Sequence, residues 1–221
     1  MLYRIPVVNI IGSEGNGIYG AAFNIYNIML VLSSYGLPMA VSKLVSARFT
    51  KRRYKSAAKV LRCSLMVAVC TGGIAALLVF FGASFIENVI YGGGLPGLAI
   101  PLRILAPTIF LVAILGVIRG FFQGQSTMIP TAVSQILEQI VNAIVSIAAG
   151  YGMMKAFASS PDVAAYGAAG STLGTAMGAL TAVLFMGFLY AVYTPTFNRL
   201  KRKDRHTENQ STCLLYTSDA A

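Results

Sequence analysis

The sequence predicts an all-α protein whose helices cross a membrane. Two observations carry that fold class. Of the 221 residues, 56% are hydrophobic and only 11% are charged, with a mean hydropathy of +0.70, whereas a soluble domain carries roughly 25% charged residues. The apolar residues also fall into blocks of about 20, the length a helix needs to cross a hydrocarbon core of about 30 Å. Such a chain lacks the polar surface that a soluble enzyme domain requires.

The elements follow in order. Residues 2–11 are apolar but too short to span, and no charged leader with a small-residue cleavage site marks them as a signal peptide. They read as the outer end of a partial helix. Residues 13–17 (SEGNG) read as a polar, glycine-rich turn. Residues 18–44 make the first complete span, with Pro38 expected to kink it. Residues 48–62 (RFTKRRYKSAAKVLR) are strongly basic and expected to be partly helical at the membrane surface.

Residues 65–86 are an uncharged second span, and 87–97 a loop without Lys or Arg. The third span, 98–122, carries Arg103, Pro107 and Arg119; its connector, 123–130, ends in a proline suited to the first turn of a helix. Residues 131–154 span again, a short loop follows, and 164–194 form the last span before the basic run NRLKRKDR. Residues 1–206 thus read as one N-terminal transmembrane lobe. Residues 207–221 stand apart as a disordered or non-native tail, because CLLYTSDAA resembles translated adapter sequence. The chain reads as a fragment truncated at both ends.

The net charge of +10 raises the question of a nucleic-acid partner. Its placement argues against one. The basic residues crowd into 48–62 and 199–205, just outside hydrophobic spans, which is the positive-inside pattern. A nucleic-acid binder spreads Lys and Arg over a folded face. If 48–62 is cytoplasmic, strict alternation puts both basic clusters on one side of the cytoplasmic membrane. Cys63, Cys70, Cys213 and the single His206 make no CxxC pair and no Cys/His constellation, so no metal site, cofactor or catalytic centre is expected.

The polar groups left inside the apolar mass are the candidate functional residues. Thr131, Gln135, Glu138, Asn142 and Ser146 recur at three or four residues and share one helix face. A carboxylate in hydrocarbon costs several kcal/mol, so this stripe should face the bundle interior or a watery cavity. For its uncharged members the alternative is plain interhelical hydrogen bonding. Arg119 and Glu138 lie at similar depth on neighbouring antiparallel helices, so a salt bridge is expected. Arg4, Asn24 and Asn27 add polarity near the start. Gly167, Gly170, Gly174 and Gly178 read as helix packing, and Gly92–Gly94 as a flexible turn rather than a phosphate loop.

Two stretches, YRIPVVNIIGSEGNGIYGAAFNIYNIMLVLSSYGLPMAVSKLVSARF at 3–49 and LAPTIFLVAILGVIRGFFQGQSTMIPTAVSQILEQIVNAIVSI at 105–147, resemble the MATE-like (multidrug/oligosaccharidyl-lipid/polysaccharide) superfamily, nearest the stage V sporulation protein B branch. The resemblance implies about fourteen helices in two lobes around a central cavity. This chain would supply one partial and five complete spans of the first lobe. It implies a flippase or exporter of lipid-linked sugar or peptidoglycan precursor, not an enzyme, with Arg4 holding the pyrophosphate and Asn24 and Asn27 lining the cavity. A coupling ion, H+ or Na+, is left open. The rival is a cation-coupled drug antiporter, which calls for a carboxylate-centred ion site. A third reading is a non-transporting scaffold of envelope or spore assembly.

Overall fold

The computed structural model describes residues 4–33, 36–158, 160 and 162–204, with side chains from Ile11 onward. The helices are α1 (Arg4–Ser33), α2 (Gly36–Thr50), α3 (Tyr54–Phe85, prolonged by a π turn Ile86–Ile90), α4 (Ala99–Gln123), α5 (Ile129–Ala156) and α6 (Val163–Lys203). Among the described residues there is no strand, and five stretches are long and apolar enough to cross a membrane, the first running Ile11–Thr50 through α1 and α2. The chain is a multi-pass membrane protein. The expected tail, 207–221, lies outside the described residues.

Three boundaries differ from those the sequence predicts. SEGNG is helical, and the change of direction falls on Gly12, whose φ of 72° and ψ of −176° break the helix at one residue. A side chain is strained at such a φ, so glycine absorbs the bend there. Gly15 serves a different purpose: a Cβ on it would stand 3.2 Å from the Ala164 carbonyl, so it brings α1 close to α6. Pro38, expected inside a kinked span, occupies the first turn of α2, where its missing N–H costs no helical hydrogen bond. The last helix does not stop at Thr194. It continues through Pro195 to Lys203, with Lys201, Arg202 and Lys203 in its final turn, where cations favour the negative end of the helix dipole.

In lipid, apolar burial does not drive helices together, so close backbone approach does. Two seams show this. Along α6, a Cβ on Gly170 would collide with the Ala149 carbonyl of α5, and one on Gly178 would stand 2.8 Å from the Glu138 carbonyl. Along α4, Gly116, Gly120 and Gly124 form a second stripe. A Cβ on Gly120 would stand 2.6 Å from the Pro38 carbonyl, and one on Gly124 2.7 Å from Val45 Cβ. That stripe seats α2 on α4. The sequence reading assigned packing to the α6 stripe and overlooked the one on α4.

Both basic clusters meet at one end of the bundle. The backbone N–H of Lys55, in the first turn of α3, donates to Asp204 Oδ2 at 2.9 Å. This supplies the helix-start acceptor that Arg53 does not. Phe49 stacks on Phe197 at 6.1 Å, and the Lys201 ammonium lies 4.8 Å over the Phe197 ring. At the opposite end Glu87 receives the N–H groups of Gly97 (3.0 Å) and Ala99 (2.7 Å), which closes the start of α4. Replacing Glu87 by Ala leaves both donors open and should cost about 1 kcal/mol. The thermal unfolding midpoint of the solubilised intact protein should fall by about 1–2 °C; an unchanged midpoint would show that the two bonds add nothing.

Candidate functional site

The site begins with the short connector between α4 and α5, which folds the two helices back antiparallel. Arg119 lies one turn before the end of α4, and Ser134 and Glu138 lie in the first turns of α5. The Arg119 Nη2 donates to Glu138 Oε2 at 2.7 Å, and its Nε donates to Ser134 Oγ at 3.0 Å. The Ser134 hydroxyl in turn donates to the Thr131 carbonyl at 2.8 Å. The guanidinium is therefore gripped from two consecutive turns of α5. Its fork geometry makes this possible, because two donors point the same way from one planar group.

The Arg119 and Glu138 side chains are 15% and 20% exposed. A charge pair shielded to that degree interacts more strongly than one in water, and each partner depends on the other for compensation. Arg119 of the pair lines a cavity of about 310 Å³, together with residues that include Leu30, Pro38, Gly116, Gln123, Thr131 and Gln135. Thr131 Oγ1 is buried without a hydrogen-bond partner among the described residues. Arg119 thus presents a cation to a pocket edged by two carboxamides and one unmatched hydroxyl. Such a pocket suits an anion or an ordered water.

The predicted site residues do not all gather there. Arg119 and Gln135 line the cavity, and Glu138 stands behind it as the ion-pair partner of Arg119. Asn142 and Ser146, from the same stripe, are buried in the seam between α5 and α6. The Ser146 hydroxyl lies 2.9 Å from Asn142 Oδ1 and 2.8 Å from the Ser171 carbonyl. A Cβ on Gly174 would collide with that hydroxyl. The stripe therefore divides, one half turned to the cavity and one to packing. Asn24 and Asn27 are exposed on α1 and do not line the cavity. Arg4 is the first residue of α1, and the role expected of its side chain lies outside the described residues.

Ser134 and Gln123 were missed from the sequence, although their spacing points to them. Ser134 precedes Glu138 by four residues and Gln123 follows Arg119 by four, so each shares its neighbour's helix face. Among the described residues no three His, Cys, Asp or Glu side chains cluster as a metal site would require.

Comparison with known proteins places this geometry in context. A family model described as polysaccharide biosynthesis protein matches residues 1–214. The chain is 34% identical over 163 residues to the Lipid II flippase MurJ of Bacillus subtilis (strain 168), which covers 71% of this chain and 30% of that protein. It is 30% identical over 185 residues to Stage V sporulation protein B of the same organism, covering 83% of this chain and 34% of that protein. It is 29% identical over 218 residues to the uncharacterized membrane protein YabM, also of B. subtilis, covering 99% of this chain and 37% of that protein. The chain spans about a third of the length of these relatives. No solved structure matches it.

Proposed function

The chain belongs to the polysaccharide biosynthesis protein family, and on that premise we propose that it forms the first lobe of a transporter for a lipid-linked sugar precursor. Residues 1–206 make the lobe, residues 207–221 stand outside it, and the basic end faces the cytoplasm. The working protein moves its substrate across the cytoplasmic membrane by alternating access, with no bond made or broken. The observation that carries this reading is the Arg119 guanidinium at the edge of a cavity, held by Ser134 and Glu138. A diphosphate-linked sugar is anionic where the sugar joins the lipid, and moving it through an apolar bilayer requires fixed cations in a polar pocket.

Glu138 has a definite part in this mechanism. With the cavity empty it neutralises Arg119, so no naked cation is stranded at membrane depth. When a diphosphate arrives, its oxygens compete with the carboxylate for the same N–H donors. Arg119 then exchanges one anion for another at little net electrostatic cost. Gln135, on the wall of the Arg119 cavity, is assigned a supporting place along the substrate path; Arg4, Asn24 and Asn27 are assigned to a part of the path outside this cavity, and Asn142 to holding the α5–α6 seam that frames it. The 34% identity to a lipid II flippase supports a peptidoglycan-type precursor as the cargo. The antiporter reading draws on the Glu138 carboxylate, but that carboxylate is engaged by Arg119 at 2.7 Å.

The test is Glu138→Gln in the intact protein, reconstituted in liposomes with a fluorescent lipid-linked sugar. The variant should insert at the wild-type level and transfer substrate at least about tenfold more slowly, the scale of one charge-assisted hydrogen bond. Transfer at the wild-type rate would remove Glu138 from the mechanism.

A further inference from the structure

A second polar groove adjoins the Arg119 cavity on the side of the basic end. Its volume is about 460 Å³, and Pro38, Met39, Ser42, Lys43, Ser46 and Gln123 line it. The α2 residues fall at i, i+1, i+4, i+5 and i+8, so they share one helix face. Pro38 and Gln123 border this groove and the Arg119 cavity alike, which makes the two spaces neighbours along one wall. The glycine stripe of α4 fixes that wall, since Gly120 and Gly124 let α2 sit almost backbone to backbone on α4.

The chemistry along this wall has one sign. Ser46 lies one turn before the basic end of α2, and Lys43 and Ser42 come next, followed by Gln123 and then Arg119 one turn further along α4. Lys43 is exposed and has no carboxylate partner among the described residues. Arg119, by contrast, is already neutralised by Glu138. The open cation therefore stands at the mouth and the compensated one stands deeper.

We propose that the Lys43 groove is an entry subsite for the diphosphate of the substrate, which it holds before the anion passes to Arg119. The subsite rests on the transport reading above and adds a place and an order to it. Lys43 supplies a mobile point charge on a flexible stem, suited to catching an anion in several poses. Ser42, Ser46 and Gln123 supply neutral donors that replace lost water. Release to Arg119 follows because its forked donors bind two oxygens at once.

The test compares Lys43→Gln, Lys43→Arg and Lys51→Gln in the intact protein, reconstituted in liposomes with the same lipid-linked sugar. Lys51 is an exposed lysine of the turn after α2, outside the groove. Lys43→Gln should raise the KM for transfer about tenfold, the scale of one charge-assisted contact, while kcat falls by less than about twofold. Lys43→Arg should restore the wild-type KM, and Lys51→Gln should leave it unchanged. Inorganic pyrophosphate should inhibit wild-type transfer, and about tenfold less strongly in Lys43→Gln; that separates recognition of the diphosphate from recognition of the lipid. An equal rise in KM for Lys51→Gln would show general attraction to a basic surface and overturn the subsite. So would pyrophosphate inhibition that ignores Lys43. If transfer depends on Arg119 and Lys43→Gln matches wild type, the subsite alone fails. If the wild-type protein moves no lipid-linked sugar, the transport reading fails and takes the subsite with it.

Discussion

Replacing Arg119 by Ala should abolish transfer of a lipid-linked sugar, lowering the rate at least about a hundredfold, and should also weaken the fold. The two effects have different causes and can be separated. Transfer fails because the cavity loses its cation and the anionic headgroup has nothing to exchange onto. The fold weakens because Glu138, 20% exposed, is left without its compensating cation. Removing one partner of a buried ion pair costs about 3–5 kcal/mol, and partial exposure places this case near the lower figure. The double replacement Arg119→Ala with Glu138→Ala should recover most of the lost stability and none of the transfer. Arg119→Lys should fold well and transfer poorly, since an ammonium cannot present the paired, coplanar donors that reach Ser134 and Glu138 together. Unfolding midpoints of the solubilised proteins and transfer rates in liposomes read the two effects independently. A double variant that stayed as unstable as Arg119→Ala would show that stranded charge is not the cause.

The second large effect is expected at Gly174. A Cβ there would collide with Ser146 Oγ, stand 2.5 Å from Ser146 N and stand 2.7 Å from the Asn142 carbonyl. Two of those three obstacles are backbone, so no side-chain rotation relieves them. Gly174→Val must force α5 and α6 apart along the most closely packed seam of the bundle. Overpacking costs roughly 1–3 kcal/mol where side chains can yield, and a backbone collision should exceed about 3 kcal/mol. The variant should give little monodisperse protein after solubilisation. Gly187 on the same helix is the control, because a Cβ there meets nothing within 4 Å. Gly187→Ala should be neutral or slightly stabilising, since Ala is the better helix former by about 1 kcal/mol. Equal yields for the two variants would contradict the role given to the α5–α6 seam.

Much of the fold was legible in the sequence because lipid imposes a coarse rule: a helix crosses only if about 20 apolar residues run together. The runs at 65–86, 98–122 and 131–154 meet that rule and match α3, α4 and α5 to within their ends, apart from the start of α3 at Tyr54. The helical period also placed Glu138 on one face with Thr131 and Gln135, and similar depth paired it with Arg119. What the sequence hid was set by packing. The stripe from Thr131 to Ser146 is continuous along one helix, yet α4 meets its first half and α6 its second. Only the docking of three helices decides that division. The caps were hidden for a related reason: Asp204 closes the start of α3 through the backbone N–H of Lys55, 149 residues earlier in the chain. SEGNG carries every mark of a turn, but Gly12 takes the bend and leaves those residues free to be helical. The end of α6 was placed too early because a proline and a polar run mimic a stop, while Phe197 is buried and holds the helix against the aromatic cluster.

The proposed movement is that of an anionic, lipid-linked sugar through the cavity lined by Arg119, whose charge Glu138 balances. Its most direct test uses the intact protein in liposomes that carry a fluorescent polyprenyl-diphosphate sugar in one leaflet, with appearance in the other leaflet followed over time. Saturable, protein-dependent transfer that is lost in Arg119→Ala is the expected result. Movement of a cationic drug down or against an ion gradient by the same vesicles, with the lipid-linked sugar left where it started, would contradict it.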